Sequence, residues 1–586
     1  METIIDIDHV SFSYAGEDAR ALDDITLTVH PGDMLGIIGP SGAGKSTLAA
    51  AMSGAIPHHF GGEFYGAVRV GGRDTCEATL TDISRVVGSV LQDIDAQMVA
   101  SVVEDEVLFG LENFGVPHDE IEGRVSSILE TVGIADLRHR ELATLSGGQK
   151  QKVAIAAILA LQPRVLVLDE PTAALDPASS LVVYETLRAI NRELGITIVV
   201  IEQKVALLSR YCGRIAVMDG GRVVLDGTPH EVFAHASELR AIGVDSPRVA
   251  RVSNSLAAAG LTDAAEPCLR VDEAVALIER ICARHGVALP APAERPARPA
   301  RADAGAPEQP AGEPILSLRD VSFAYPGGGG SVRDLSLTVY PGELVGIVGQ
   351  NGAGKTTLTK LVNGLLKPAS GSVTVAGLDT RAVRVSQIAR HAATLFQNPD
   401  HQICRDTVLD EVAFGLELAG VEAAEARRRA LPVIERFGLP ADEAPFSLSR
   451  GQRQMVALAS VVVLEPELII LDEPTSGLDY RECMTVMETV RDMARAGSAV
   501  LMVCHDMEVV SDFAERIAVM ADGEILSVGP ASALFADEAL MRAARIEPPQ
   551  VIELAHALER TVSPAFAGLH EVSEVVACVK ELVNRG

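Results

Sequence analysis

The sequence predicts an α/β fold with a mainly parallel sheet, and it predicts this fold twice. The chain contains an internal sequence repeat. The segment GDMLGIIGPSGAGKST in the first half corresponds to GELVGIVGQNGAGKTT in the second, and RIAVM occurs at 214–218 and at 516–520. Runs such as LGIIG, RVLVLD and TIVVIE have the composition and length of buried parallel strands. Longer amphipathic stretches, typical of helices, alternate with these runs, and this alternation indicates a parallel sheet.

The repeat continues beyond the strands into the end of each half. Residues 239–260 pair with 541–560, and residues 269–286 pair with 569–586. Between the halves, residues 288–314 are rich in Ala and Pro and have no apolar periodicity, which predicts a flexible, partly polyproline-II linker. At about 3.1 Å per residue, such a linker lets the two copies meet face to face at high effective concentration.

Composition and charge narrow the class of protein. A chain of 586 residues with 48% hydrophobic residues is typical of a soluble globular protein with three to four domains. The net charge of -30 argues against nucleic acid and lipid headgroups as partners, so we expect any membrane association to run through a protein. Eight scattered cysteines without a CxxC pair argue against a zinc site and fit a reducing compartment. We see neither a signal peptide nor a membrane span.

Two segments, 39–46 and 349–356, fit the phosphate-binding pattern GxxxxGK[ST]. Each follows an apolar strand and precedes a helix-like run, which is the context that this motif requires. The glycines let backbone N–H groups wrap the phosphates, the lysine reaches the β/γ-phosphates, and the next hydroxyl residue binds Mg²⁺. We expect ATP contacts from Gly39, Ser41, Gly42, Gly44, Lys45, Ser46 and Thr47, and from Gly349, Asn351, Gly352, Gly354, Lys355, Thr356 and Thr357.

An apolar strand ends in an Asp-Glu pair in each copy, at Asp169-Glu170 and at Asp472-Glu473. The aspartate would hold the water shell of Mg²⁺, and the glutamate would polarise the attacking water as a general base. A Leu-Asp-Glu-Pro run alone is also compatible with a strand end that enters a turn. Its pairing with a phosphate loop in both copies favours ATP hydrolysis.

The runs LSGGQKQ (145–151) and LSRGQRQ (448–454) resemble the signature of ABC ATPases. In both copies the signature serine lies 23 residues before the strand-end aspartate, and the resemblance covers nearly the whole chain. It implies two tandem ABC-type nucleotide-binding domains, each a P-loop NTPase core with a helical signature subdomain and a small helical C-terminal segment. We place the domains at 1–235 and 315–537, and the C-terminal segments at 236–287 and 538–586.

The same resemblance implies an intramolecular head-to-tail dimer, with ATP between the phosphate loop of one copy and the signature of the other. Tyr14 and Tyr325 would stack on adenine, although ordinary turn packing is the alternative. Gln92 and Gln397 would sense Mg²⁺ and the attacking water. Further expected nucleotide contacts are the signature residues Ser146, Gly148, Ser449 and Gly451, with Asp176 and Asp479 in loops that cross the dimer.

Each expected ATP site is a composite of the phosphate loop of one copy and the signature of the other. The two composite sites differ in sequence. The family places a γ-phosphate-contacting histidine after the strand that follows the catalytic glutamate. His505 occupies this position in the second copy and Gln203 in the first, each 11 residues before RIAVM. The signatures differ as well, since Arg450 in the second copy stands where the first has Gly147.

Head-to-tail pairing places both departures in one site. Site one combines Lys45, Glu170 and Gln203 with the Arg450 signature, and site two combines Lys355, Glu473 and His505 with the Ser146 signature. We therefore predict that site two performs most of the hydrolysis and that site one mainly binds ATP. The alternative is that glutamine hydrogen-bonds well enough and that the arginine is harmless or helps to neutralise phosphate.

The segments that follow the two glutamines indicate which ABC ATPase this is. FQNPDHQICRDTVLDEVAFGLE after Gln397, its counterpart after Gln92, and the tails resemble the ATPase subunits of energy-coupling factor (ECF) importers of vitamins and transition-metal ions. This implies a transmembrane coupling subunit and a substrate-capture membrane subunit as partners at the cytoplasmic face of the membrane. The first copy departs from Gln-Asn-Pro-Asp, so its docking contacts are expected to differ.

Other interpretations stay open. The DEVxFGLE run is also compatible with an amphipathic helix that only packs on the sheet. An ATPase of a conventional ABC importer fits the tails less well, and the Ala/Pro linker and net charge argue against a soluble ABC-F-type translation factor. The transported substrate is not encoded in these motifs.

Overall fold

The structure is a computed structural model, and it describes residues 2–16, 19–173, 175–262, 267–287, 312–326 and 330–585. Most of the predicted linker, 288–311, lies outside the described residues. The chain divides into two compact units, Met1–Asn254 with Ala264–Arg270, and Ser255–Asp263 with Val271–Gly586.

The first unit contains two sheets. Its strands are β1 (Ile5–Tyr14), β2 (Leu22–Val29), β3 (Met34–Ile38), β4 (Gly62–Val70), β5 (Arg73–Asp74), β6 (Val87–Val90), β7 (Val165–Asp169), β8 (Thr197–Ile201), β9 (Arg214–Asp219) and β10 (Arg222–Gly227). A four-stranded antiparallel sheet has the order β2-β1-β4-β5. A six-stranded sheet has the order β10-β9-β3-β8-β7-β6 and is parallel except for β10.

Helices cover the six-stranded sheet of the first unit. They are α1 (Lys45–Met52), α2 (Ala55–His58), α3 (Leu80–Ser84), α4 (Ile94–Gln97), α5 (Val103–Asn113), α6 (His118–Val132), α7 (Gly147–Leu159), α8 (Pro177–Leu194), α9 (Val205–Tyr211), α10 (Pro229–Ala234), α11 (Ala236–Ile242) and α12 (Arg248–Ala258), the last shared between the units. In β7, Val165 and Val167 pack into the core between the sheets, whereas Leu166 and Leu168 pack into the core under the helices. Burial on both faces explains why this strand is continuously apolar.

The second unit repeats this architecture. Its strands are β11 (Leu316–Ala324), β12 (Ser331–Val339), β13 (Leu344–Val348), β14 (Ser370–Val375), β15 (Leu378–Asp379), β16 (Ala392–Leu395), β17 (Leu468–Asp472), β18 (Ala499–Val503), β19 (Arg516–Ala521) and β20 (Glu524–Pro530). The sheets have the orders β12-β11-β14-β15 and β16-β17-β18-β13-β19-β20. The prediction of a twice-repeated α/β fold with mainly parallel sheets is confirmed, and LGIIG, RVLVLD and TIVVIE lie in β3, β7 and β8.

The helices of the second unit include one from the middle of the chain. They are α13 (Val271–Arg284), α14 (Lys355–Val362), α15 (Val385–Ile388), α16 (Val408–Leu418), α17 (Ala423–Arg436), α18 (Arg450–Val462), α19 (Tyr480–Arg495), α20 (Met507–Phe513), α21 (Ala531–Phe535), α22 (Glu538–Ala544), α23 (Gln550–Thr561) and α24 (Val572–Arg585). Helix α13 packs against α23 and α24, so the compact units divide the segment predicted at 236–287. Among the described helices, none has the length and apolarity needed to cross a bilayer.

Candidate nucleotide sites

The predicted catalytic residues of each copy lie at one edge of its six-stranded sheet. Strands β3, β8, β7 and β6 are parallel neighbours, so the residues that follow their carboxyl ends share an edge. Strands β13, β18, β17 and β16 repeat this order in the second unit. The residues after these strands are Lys45, Gln203, Glu170 and Gln92 in the first unit, and Lys355, His505, Glu473 and Gln397 in the second.

The phosphate loop of the first unit leads into α1 through a glycine that no other residue replaces easily. Gly44, at the start of α1, has φ 91°, and an added Cβ would lie 2.3 Å from the Ala21 carbonyl oxygen. The Lys45 ammonium is buried and donates to the carbonyl oxygens of Gly39 at 2.8 Å and Pro40 at 2.7 Å. The helix N-terminus and this cation together form a strongly anion-attracting site, which fits phosphate.

The second phosphate loop has the same construction. Gly354, at the start of α14, has φ 99°. The buried Lys355 ammonium donates to the carbonyl oxygens of Gly349 at 2.7 Å and Gln350 at 2.9 Å. Two loops of different sequence thus reach the same arrangement.

The strand-end aspartates are suited to a divalent cation. Burial raises the pKa of Asp169, although the hydrogen bond from the Ser46 hydroxyl and the nearby Lys45 lower it. Burial, followed by the charge of Glu473, raises the pKa of Asp472 to about 6. Buried carboxylates beside a hydroxyl or a second acid are hard oxygen donors, which Mg²⁺ prefers.

Glu170 lies at the centre of a polar cluster in the first unit. Its carboxylate accepts hydrogen bonds from Gln92 Nε2 at 2.6 Å and from Gln203 Nε2 at 2.8 Å. Burial raises the pKa of Glu170 to about 7, with further raising effects from Glu202 and Asp169, while Lys45 and Gln203 lower it. The structure therefore brings together the glutamate and both predicted glutamines of this copy.

Glu473 has a different partner in the second unit. His505 Nε2 lies 2.6 Å from Glu473 Oε1, and both side chains are only 12% exposed. His505 Nδ1 is buried without a hydrogen-bond partner among the described residues. Gln397 is exposed, and the described contacts include no bond from it to Glu473. The two units thus differ at the centre of the site as well as in sequence.

A second polar network in the first unit was not predicted from the sequence. Glu202 is 2% exposed and accepts a hydrogen bond from Thr172 Oγ1 at 2.6 Å. Lys204 Nζ donates to the carbonyl oxygens of Thr172 at 2.8 Å and Leu175 at 3.1 Å. These residues flank Gln203, so they fix the loop after β7 to the loop after β8.

The second unit has a weaker contact at these positions, where Thr475 Oγ1 lies 3.8 Å from Cys504 Sγ. Cys504 and Asp506 occupy the positions of Glu202 and Lys204, and Asp506 instead caps α20 by accepting from the Glu508 and Val509 N–H groups. The sequence already shows this difference between the copies, because aligning them on RIAVM places Glu202 opposite Cys504.

The signature residues have a local structural role in addition to the predicted nucleotide contact. Ser146 begins α7 with a capping box, accepting from Gln149 N at 3.3 Å and donating its own N–H to Gln149 Oε1 at 3.0 Å. Ser449 and Gln452 make the same pair of bonds at the start of α18. A Cβ on Gly148 would lie 3.3 Å from Ser179 Cβ, so this glycine lets two helices approach closely.

The remaining predicted contacts also have internal partners. Asp176 and Asp479 cap α8 and α19, accepting from Ser179 N and Glu482 N at 2.8 Å. Tyr14 Oη lies 3.1 Å from Thr47 Oγ1, next to the phosphate-loop helix. The Tyr325 ring meets Phe323 edge-on at 5.0 Å. The nucleotide and Mg²⁺ contacts of these residues, and of every other predicted site residue, stay predictions.

The raised pKa of Glu170 has a consequence for stability. Because folding favours the protonated carboxyl, the unmodified protein loses stability as the pH rises from about 4.5 to about 7. In nucleotide-free and Mg²⁺-free protein, we expect Glu170→Gln to raise the stability of the first unit by about 1–3 kcal/mol at pH 8. This gain should vanish near pH 4.5, which melting temperatures across this range would check.

Glu473→Gln is the matched control for this experiment. It removes the partner of His505 and leaves the imidazole buried, so we expect no gain in melting temperature at pH 8. An equal gain in both variants, or a gain for Glu170→Gln that does not depend on pH, would contradict the explanation.

Comparison with known proteins agrees with this geometry. The ABC transporter family matches the chain twice, at residues 22–173 and 332–476. The chain belongs to the ABC transporter ATPase family. A protein of Caldanaerobacter subterraneus subsp. tengcongensis, named as an ABC transporter ATP-binding protein, is 36% identical over 97% of this ABC ATPase and 98% of the relative.

Two further similar proteins have more specific names. A Bacillus subtilis protein named as an HMP/thiamine import ATP-binding protein is 32% identical over 94% of this ATPase and 94% of the relative. The solved structure of cbiO1 from Clostridium perfringens, described as part of the ABC transporter complex cbiONQ, is 33% identical with a TM-score of 0.38. It covers 42% of this ATPase and 95% of that chain. The predicted tandem ABC architecture and ATPase class are confirmed.

Proposed function

We propose that this chain is the energy-coupling ATPase of an ECF-type importer of a vitamin or a transition-metal ion. The observation that supports it most is the similarity, over 94% of both chains, to a relative named for HMP/thiamine import, since thiamine is a vitamin. The resemblance of the segments after Gln92 and Gln397 to ECF ATPases supports the same conclusion.

The residues at the carboxyl edge of each six-stranded sheet have the functional groups that ATP hydrolysis needs. Lys45 and Lys355 hold the phosphates, while Ser46 with Asp169, and Thr356 with Asp472, hold Mg²⁺ together with Gln92 and Gln397. Bound Mg²⁺ neutralises phosphate charge and orients the transferred group. Glu170 and Glu473 orient the attacking water and accept its proton.

The two copies pair head to tail in this proposal, so each ATP lies against the signature of the other copy. Site two then contains the His505–Glu473 pair, whereas site one contains the amide-bonded Glu170. Gln203 offers the γ-phosphate a neutral amide at the position where site two has the His505 imidazole, and the signature that completes site one has Arg450 in place of a glycine. Site two is therefore the more active site.

Exposed apolar side chains mark the surface that would meet the membrane partner. Three apolar side chains near α4 in the sequence of the first unit are more than half exposed. One precedes α4 and two follow it: Leu91, Val99 and Phe109. In the second unit, Phe396 is exposed at the equivalent of Leu91. An exposed apolar side chain thus precedes the predicted glutamine in both copies, and this recurrence supports docking of a coupling subunit at the segment.

Affinity purification from the native cell tests the proposal. The tagged chain is isolated from gently solubilised membranes, and we expect a multi-helix coupling subunit together with one or more small substrate-capture proteins. A periplasmic or surface-anchored binding protein with two permeases would favour a conventional ABC importer instead. Ribosomes would favour a translation factor of the ABC-F type.

A docking variant sharpens this test. Val99→Glu places a charge on the proposed docking surface, at a side chain that is 60% exposed, and should reduce recovery of the membrane proteins at least about tenfold. Its ATPase activity in the purified chain should stay within about twofold of the unmodified protein, because the change is on an exposed side chain. Undiminished recovery would contradict the assignment of this surface.

A further inference from the structure

Two ion pairs at matching positions connect the segment after each predicted glutamine to the signature helix of the same unit. Lys150 Nζ lies 2.6 Å from Asp95 Oδ1, and Arg453 Nε lies 2.7 Å from Asp400 Oδ1. Both aspartates stand three residues after the glutamine, and both cations stand four residues after the signature serine. The surrounding sequences differ, so the repeated arrangement argues against a chance surface contact.

The connection is more extensive in the second unit. Arg453 also donates from Nη1 to the carbonyl oxygen of Leu448 at 2.7 Å, next to the signature serine. Gln402 accepts from Phe396 N at 3.2 Å and donates to the carbonyl oxygen of Ala457, in α18, at 3.1 Å. The backbone before Gln397 is therefore tied to the signature helix by a second route.

The first unit has a looser connection. Gln97 accepts from Leu91 N at 2.8 Å, but it donates to the carbonyl oxygen of Ser89, in β6, at 3.1 Å rather than to the signature helix. Lys150 has a flexible stem and a single described acceptor, Asp95, which is 71% exposed. Asp400 is less exposed, at 40%, and Arg453 is 20% exposed. A planar guanidinium that bridges two elements fixes their orientation better than an ammonium does.

Partly exposed ion pairs such as these contribute modestly to folding stability, so stability alone does not explain why both copies have one. We propose that Arg453 and Asp400, and more weakly Lys150 and Asp95, are positioning residues that make the signature helix follow the segment after the glutamine. This rests on the proposed head-to-tail pairing. Gln397 belongs to site two, whereas the signature that begins at Ser449 faces the nucleotide of site one. Movement of the segment after Gln397, at site two, thereby reorients the Ser449 signature, at site one. The two sites then respond to ATP together.

The test uses the purified full chain without membrane partners and measures ATPase rate against ATP concentration. We expect a Hill coefficient above one for the unmodified chain. Arg453→Met and Asp400→Asn should each lower it toward one and raise the half-saturating ATP concentration about fivefold, with melting temperatures unchanged. The double variant should be no worse than Arg453→Met, because that substitution removes both the ion pair and the bond to the Leu448 carbonyl oxygen, whereas Asp400→Asn weakens the ion pair alone. Lys150→Met should have a smaller effect.

Arg436→Met is the matched control, since Arg436 forms an exposed 2.7 Å ion pair with Asp492 between α17 and α19. It should leave the ATP dependence unchanged. The proposal is overturned by a Hill coefficient of one in the unmodified chain, by additive effects of the two substitutions, or by an equal effect of Arg436→Met. These readouts need no membrane subunit, so a failed purification of transporter partners would overturn the importer assignment without affecting them.

Discussion

Glu473→Gln is expected to lower the steady-state ATPase rate of the purified chain about a hundredfold, whereas Glu170→Gln is expected to lower it less than about threefold. Both substitutions preserve the shape of the side chain and remove the carboxylate that would accept the proton. The difference between them would measure how unequally the two composite sites contribute to turnover.

The structure supplies the physical reason for this inequality. Glu473 faces an imidazole nitrogen at 2.6 Å, which can stabilise the carboxylate and developing charge on the phosphate. Glu170 faces two neutral amides and lies near the buried Glu202. Its pKa is raised to about 7 by burial, by Glu202 and by Asp169. The first copy therefore holds its glutamate in a more negative environment, which disfavours both the carboxylate form and the charge that develops on the phosphate.

The measurement compares the two variants with Glu467→Gln, which removes an exposed carboxylate 2.6 Å from His391, at the opposite end of β17 from Glu473. This control should retain the unmodified rate. Equal losses in the Glu170 and Glu473 variants would show that both sites turn over, and the asymmetric assignment would then be wrong.

Much of the fold could be predicted because the relevant signals are local. Strands buried on both faces need continuous apolar runs, which is why β3, β7 and β8 are visible in the sequence. The phosphate loops are visible because Gly44 and Gly354 occupy left-handed backbone positions at fixed offsets from a lysine. The internal repeat then aligned each site residue with its counterpart.

Other features depend on contacts between distant segments. The apposition of Glu202 with Thr172 and of Arg453 with Asp400 requires knowledge of which loops meet at the sheet edge. The packing of α13 with α23 and α24 was equally hidden, because amphipathic helices show which face is apolar without naming the partner. The repeat shows which residues of the two copies correspond, but it does not show which segments within a copy are in contact.

Exchanging Gln203, which follows β8, and His505, which follows β18, should move ATPase activity between the two sites. His505→Gln is expected to lower turnover about tenfold to hundredfold, because a glutamine at this position can still reach the glutamate, as Gln203 does at 2.8 Å, but offers the phosphate an amide in place of the imidazole. The half-saturating ATP concentration should change little, since the phosphate loop and Lys355 remain intact. Single-turnover and steady-state rates would separate these effects.

The reciprocal change, Gln203→His, should be made in the Glu473→Gln background, where site one supplies the remaining hydrolysis. We expect it to raise that residual rate about tenfold, since the introduced imidazole would neutralise part of the charge of Glu170 and Glu202. His391→Gln is the control for loss of an exposed histidine–glutamate pair and should change neither rate. If Gln203→His leaves the residual rate unchanged while His505→Gln abolishes activity, the deficit of site one lies in the Glu202–Lys204 network or the Arg450 signature, and the histidine position alone does not determine which site works.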